Sequence, residues 1–287
     1  MRSLITVLLM GVAWMGSAAA DSPNHDSPYL LGITPQFDQR KLFTTWKPVL
    51  EALEKRTGLS FKFASTASLP EFEQAVASGT YDFVYVNPYQ LYKERDRQGY
   101  VPLVRDVTPL RGIVVVRKDS PIRNLKDLNG RSLAVPSPNA MGASLLVRAE
   151  LERQHGVKMS LINAKSHTSA YLHVINRLAD AGGGVEKTLA EQSDEFRSEL
   201  RTVFTTREFP SHPVAGHPRV PEKVREAVRQ AWLDISATPE GRLLLKDIPM
   251  SWAVPASFKD YQIFQALNLD AYWVDIKPAG PSAGSKP

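Results

Sequence analysis

Apolar residues recur along this chain at two spacings, and the switches between them mark out strands and helices. Residues 29–33, Tyr-Leu-Leu-Gly-Ile, form an apolar run with the length of a buried strand. Residues 42–53 place Leu42, Trp46, Val49, Leu50 and Leu53 on one helix face. Pro48 falls inside that span and predicts a helix starting near Thr45, with the proline in its first turn. Residues 61–64 predict a second strand, 69–78 a helix, and 81–86 a third strand, and Pro88 opens another helix. This order predicts a parallel sheet with helices on its faces.

The rhythm then restarts. Residues 112–117 predict a strand, and 124–135 a short helix, a turn at Asn129-Gly130 and a strand. A helix over 142–154 and a strand over 160–163 follow. Tyr171, Val174, Ile175 and Leu178 then repeat as one helical face. Residues 179–181 predict a short strand, with Gly182-Gly183-Gly184 leading into a helix near Glu186, and 201–204 a last strand. Beyond it, Val224, Ala227, Val228, Ala231 and Trp232 form a stripe in a mostly helical part. Residues 276–287 are rich in Pro, Gly, Ser and Ala and are expected to be a disordered tail. No sequence repeat is visible. Two α/β blocks in one chain predict two lobes with a ligand cleft between them, where strands end and loops enter helices.

The first 20 residues narrow the compartment. Arg2 precedes an uncharged apolar run from Leu4 to Met15, and Ser17-Ala18-Ala19-Ala20 offers the small residues a signal peptidase requires. Residues 1–20 are therefore expected to be an export signal cut after Ala20. No later run approaches a membrane span. The absence of cysteine excludes disulfides and the lipid attachment of anchored exported proteins. A free periplasmic protein, monomeric and not inserted in a membrane, is the expectation. Cleavage removes only Arg2 from 35 basic residues, set against 30 acids. That mild excess, with no basic run, argues against nucleic acid as a partner.

Three segments carry a likeness. Asn124-Leu-Lys-Asp-Leu-Asn-Gly-Arg-Ser-Leu-Ala-Val135 resembles the strand entry of periplasmic solute-binding proteins of ABC transporters, and Gly79-Thr-Tyr-Asp-Phe-Val-Tyr-Val-Asn-Pro-Tyr89 their third strand and ligand loop. Ser166-His167, with Asp180-Ala181 thirteen residues on, is similar to the phosphate-, phosphite- and phosphonate-binding branch. The resemblance spans about residues 28–270. It implies the type II two-lobed fold, with one lobe from 28–110 plus 206–275 and the other from 111–205. It also implies two crossing strands, a small oxyanion held by lobe closure, and delivery to a membrane permease.

Anion capture needs many donors, which helix N-termini, hydroxyls, imidazole and glycine backbone supply. Loops entering helices offer Thr34 with Gln36, Ser65 with Thr66, Tyr85 with Asn87 and Tyr89, Ser137 with Asn139, His167 with Thr168 and Ser169, and Gly182 to Gly184. Tyr85, Asn87, Tyr89, Ser137, Asn139, His167, Thr168, Ser169 and Gly183 are the expected ligand residues, with His167 foremost by the family pattern. The chain departs from that pattern in three places. Asn87 stands where the family has glycine. Asn139-Ala140-Met141 stands under a Ser-Thr-Ser run whose hydroxyls grip the anion. Three glycines occupy 182–184, and Glu186 lies near an acidic position that holds the ligand's amine in phosphonate binders. His212 and His217, five apart beside prolines, do not have helical metal-ligand spacing. Neither metal nor cofactor is expected, and the segment around them reads as a rigid return near the cleft mouth.

Three functions fit such a chain: a binding protein feeding an ABC permease, one presenting its ligand to a sensor kinase or chemoreceptor, or an enzyme on the same fold. No nucleophile motif supports the last.

Overall fold

The computed structural model describes residues 27–275, so the export signal and the tail from 276 lie outside the described residues. The first series is β1 (Tyr29–Ile33), α1 (Gln39–Thr57), β2 (Phe61–Ala64), α2 (Leu69–Ala77), β3 (Phe83–Tyr85), α3 (Pro88–Glu94) and β4 (Val101–Asp106). The second starts with β5 (Gly112–Arg117) and β6 (Ser132–Val135). A π-helical turn at Met141–Leu146 then runs directly into α4 (Val147–His155). It continues with β7 (Ser160–Asn163), α5 (His167–Ile175), β8 (Ala181–Val185), α6 (Glu186–Ala190), α7 (Asp194–Ser198) and β9 (Leu200–Thr205). The described part closes with β10 (Pro213–Gly216), α8 (Glu222–Ala237), α9 (Pro239–Leu245), β11 (Ala253–Pro255) and short helical turns.

These strands build two sheets, ordered β11-β4-β10-β3-β1-β2 and β7-β6-β8-β5-β9. In each, three parallel strands are flanked by an antiparallel one that has just crossed from the other sheet, β10 beside β3 and β5 beside β8. One plan therefore serves both sheets although no sequence repeat announces it. The two crossing segments, 107–111 and 206–212, run side by side. Leu110 N–H donates to Phe209 O at 2.8 Å, and Phe209 N–H to Leu110 O at 3.0 Å.

Both sheets are covered on two faces. Trp46 of α1 and Trp232 of α8 meet edge to face at 6.2 Å under the six-stranded sheet, with Tyr85 against Trp46. The five-stranded sheet buries Val114, Val116, Leu133 and Val135 on one face and Ile113, Val115 and Tyr171 on the other. The turn that starts at Met141 rests on the five-stranded sheet, but Met141, Leu145, Leu146 and Ala149 do not join the apolar cluster of that sheet. They pack instead with Phe209, Phe264, Leu267 and Leu269, so an apolar seam joins the lobes along α4.

Several expectations need correction. α1 starts at Gln39, capped by Asp38, and runs through Pro48. The proline lies on the exposed face, and the Thr44 carbonyl it deprives of a donor is exposed too, so water can reach it. The three glycines do not lead out of a strand at 179–181; they form β8, paired to β5 and β6. Leu178 lies past the end of α5 and is 64% exposed, and Ala227 faces outward from α8. β4, β10 and β11 were not anticipated. Pro102 and Pro213 interrupt the strand pattern of the first two, and their pairing carries a bulge between Val214 and Ala215.

Candidate functional site

The carboxyl ends of strands from both sheets converge on one cleft with a cavity volume of about 170 Å³. One wall comes from the segments after β1 and β3, with Thr34 to Phe37 and Asn87. The other comes from those after β6, β7 and β8, with Ala140 to Ala143, Lys165 to His167, and Val185 to Thr188. The crossing segments close the back with Thr108 to Arg111, Ser211 and His212.

The helix end at Met141 is seated by absences. A Cβ on Gly112 would lie 2.1 Å from Gly142 O, and one on Gly183 would lie 2.0 Å from Ala143 O. Glycine at both positions lets the π-helical turn rest directly on β5 and β8. The first bonds of this helix run from Ser144 and Leu145 N–H to Ala140 O. The N–H groups of Met141, Gly142 and Ala143 precede them and belong to cleft-lining residues, as befits an anion site at a helix N-terminus. The side chains beside them are apolar.

His167 opens α5, whose cap is Ser166: its Oγ accepts from Ser169 N–H at 3.1 Å. Burial pushes the imidazole down to about 4. His212 stacks on Tyr85, with ring centres 5.4 Å apart and planes 24° apart. Burial pushes it down to about 3, helped by the neighbouring His167. Both rings are therefore uncharged at neutral pH. Lys187 donates to Ile248 O at 2.7 Å, and Lys41 pairs with Glu191 at 3.9 Å, so each contact reaches from one lobe to the other.

Of the nine expected ligand residues, the fold brings Tyr85, Asn87 and His167 to the cavity. Asn87 also caps α3, accepting from Tyr89 N–H at 2.9 Å, and donates to Asn139 O at 3.1 Å across the lobes. The other six do not line the cavity. Tyr89 is buried against Phe264 and Trp273. Ser137 Oγ accepts from Asn139 N–H at 3.2 Å. The Asn139 side chain turns away. Its Nδ2 donates to Glu73 Oε2 at 3.0 Å and Val274 O at 2.8 Å, and its Oδ1 accepts from Val274 N–H at 2.9 Å. Thr168 Oγ1 accepts from Gln192 at 3.5 Å, Ser169 packs within the first turn of α5, and Gly183 lies inside β8.

Among the remaining candidates, Thr34, Gln36, Glu186, Ser211 and His212 line the cleft, whereas Ser65 and Thr66 bond to Ile33 O and Ser68 O. His217 is apart from His212, edge-on to Tyr100 at 4.9 Å. Among the described residues no three metal-ligating side chains cluster. Asp180 sits at the start of β8, not at the cleft: it accepts from Ser132 N–H at 2.9 Å and Ser132 Oγ at 2.7 Å. Sequence reasoning missed Lys165, Lys187 and Thr188. Of these, Thr188 approaches His167 only through the tertiary fold, and nothing in its own segment signals this.

A family model described as "ABC transporter, phosphonate, periplasmic substrate-binding protein" matches residues 31–261. A phosphonates-binding periplasmic protein of Escherichia coli is 22% identical over 254 residues, covering 83% of this chain and 74% of its own. Among solved structures, the binding protein component of an ABC phosphonate transporter from Pseudomonas aeruginosa superposes with a TM-score of 0.76. It is 16% identical, over 88% of this chain and 91% of that one. PhnD1 from Prochlorococcus marinus, in complex with methylphosphonate, gives a TM-score of 0.73 at 15% identity, over 86% and 98%. The fold is thus that of the two-lobed periplasmic binding proteins.

Proposed function

This chain belongs to the family of periplasmic substrate-binding proteins of phosphonate ABC transporters, and we propose that it captures a small phosphorus oxyanion bearing an apolar substituent and passes it to a membrane permease. One observation carries the choice of ligand. The helix end at Met141 offers backbone N–H donors but, in Ala140 and Met141, no hydroxyl. A bare dianion would leave oxygens unmatched there. A phosphonate can place its oxygens on the N–H groups and its carbon substituent against the methionine, an adaptable apolar contact. The Escherichia coli relative is named for phosphonates, and the Prochlorococcus structure holds methylphosphonate.

Lobe closure is the means of capture. A ligand touching both walls favours the arrangement in which Lys187 reaches Ile248 and Asn139 reaches Glu73. Export to the periplasm, with residues 1–20 as a cleaved signal, belongs to the same proposal. Calorimetry of the mature chain with methylphosphonate, phosphite, phosphate and sulfate tests it. Stoichiometric binding without turnover, tightest for methylphosphonate, is expected. Millimolar or weaker binding of all four ends the proposal.

A further inference from the structure

Behind His167 stands a chain of buried groups. The Tyr171 hydroxyl lies 2.8 Å from Thr188 Oγ1, which lies 3.0 Å from Val185 O and 3.3 Å from His167 Nδ1. Tyr171, Thr188 and His167 are all more than nine-tenths buried. A threonine hydroxyl has one proton to give. Val185 O is the nearer acceptor for it than His167 Nδ1. Tyr171 is 3.5 Å from that carbonyl and 2.8 Å from Thr188, so it donates to Thr188. The His167 Nδ1 then faces an oxygen whose proton is already committed. Tyr171 occupies one of the two lone pairs on that oxygen; Val185 N–H approaches the other at 3.4 Å, farther than His167 Nδ1 at 3.3 Å, so the second lone pair is open to a proton carried by Nδ1. Nε2 keeps its lone pair, has no partner among the described residues, and belongs to a residue lining the cleft.

We propose that Thr188 and Tyr171 are positioning residues that hold His167 in the tautomer protonated at Nδ1, so that Nε2 accepts a hydrogen bond from a protonated ligand oxygen. The cleft then selects the singly protonated form of an oxyanion. Its unprotonated oxygens fall to the N–H groups of Met141, Gly142 and Ala143. This inference rests on reading the cleft as an oxyanion site.

The surrounding charges do not compete for the imidazole. From α6, Lys187 is held by Ile248 O, and Glu191 faces Lys41. From the first crossing segment, Arg111 lies between Glu186 and Glu208. Asp106 accepts from Ser251 and Thr108 N–H groups. Lys165 is exposed, and His212 is itself uncharged beside Tyr85. His167 stays neutral from pH 5.5 to 8.5, so the proton that titrates in the complex is the ligand's.

Nitrogen NMR of the mature chain with ¹⁵N-labelled histidine reads the tautomer directly. His167 should show a protonated Nδ1 and a bare Nε2 throughout that range. Thr188→Val should shift it toward the opposite tautomer, and Thr188→Ser should restore it. Tyr171→Phe probes the same relay if Thr188→Val fails to fold. A protonated Nε2 in the wild-type protein, or a tautomer unmoved by Thr188→Val, overturns the proposal. In calorimetry, methylphosphonate affinity should fall about tenfold per pH unit above the ligand's second ionisation, with a flatter profile in Thr188→Val. An affinity that rises with pH in the wild-type protein also overturns it. If methylphosphonate, phosphite and phosphate all fail to bind, the oxyanion reading falls, and the NMR result still decides the relay.

Discussion

Replacing Glu73 by glutamine should make this protein more stable at alkaline pH. Glu73 is buried on α2; its Oε2 accepts from Asn139, and its Oε1 has no partner. Burial pushes the carboxyl from 4.5 up to about 7, against the pull of the Asn139 bond; Asp275 adds to the rise and Lys93 opposes it. Between these two values the folded chain holds a proton that the unfolded chain has released. Stability is therefore fully present below pH 4.5, falls as pH rises toward 7, and is level above that. At about 1.4 kcal/mol for each pH unit between the values, less what water entering the site recovers, the loss is roughly 2–3 kcal/mol. Glutamine keeps the volume and an acceptor for Asn139 but does not titrate. Thermal unfolding followed by circular dichroism from pH 5 to 8.5 should give near-equal midpoints at pH 5. At pH 8.5 Glu73→Gln should unfold roughly 4–12 °C higher. Other titrating groups are common to both chains and cancel in the difference. Parallel profiles, or a variant that loses more than the wild-type protein at pH 8.5, would refute the assignment of a buried, proton-holding Glu73.

Three further outcomes are expected. Gly183→Ala drives a methyl group into the Ala143 carbonyl and should destabilise by about 3 kcal/mol or more; a urea midpoint equal to that of the wild-type protein would show that the helix end is not seated on β8 as described. Asp180→Ala removes the acceptor of Ser132 N–H and O–H, while the residue-180 N–H still donates to Ser132 Oγ, and should cost about 1–3 kcal/mol in urea unfolding while leaving methylphosphonate affinity within about twofold, whereas a large affinity loss would bring this end of β8 into the site. His167→Ala should weaken methylphosphonate about 10- to 100-fold in calorimetry, and unchanged affinity would remove it from the site.

What the sequence made legible follows from how local each signal is. The face of α1 and the run Gly-Ile-Val-Val-Val-Arg of β5 are local, and both are found; β5 has its expected bounds, whereas α1 starts at Gln39, six residues before the expected Thr45. β10 is different. It is a crossing strand whose partners, β3 and β4, lie more than a hundred residues upstream, and it begins with Pro213. No nearby pattern carries that pairing. The glycines of β8 have no side chains to form a pattern; Gly183 leaves space for the Ala143 carbonyl, and Gly182 and Gly184 for Val174 and Tyr171 of α5. At the site, Ser166 and Asn87 signal helix starts through their own capping chemistry, so the strand ends carrying them were readable. The direction of the Asn139 side chain was not, because Glu73 and Val274 are distant in sequence.

The turn of Asn139 away from the cleft decides where discrimination must come from. Its amide ties α2 and the segment at Val274 to the helix end, and its carbonyl takes Asn87 from the opposite lobe. The position thus joins the lobes and adds no donor to the cavity. What remains at the helix end is backbone N–H, which attracts any anion with little preference. Net charge cannot sharpen the choice either, since Lys165, Lys187 and Arg111 are matched by Asp106, Glu186 and Glu191 around the same cleft. Selectivity then falls to the uncharged groups with directional hydrogen bonding. His167, whose ring is oriented by buried hydroxyls behind it, is the cleft residue best placed to distinguish a protonated oxygen from a bare one.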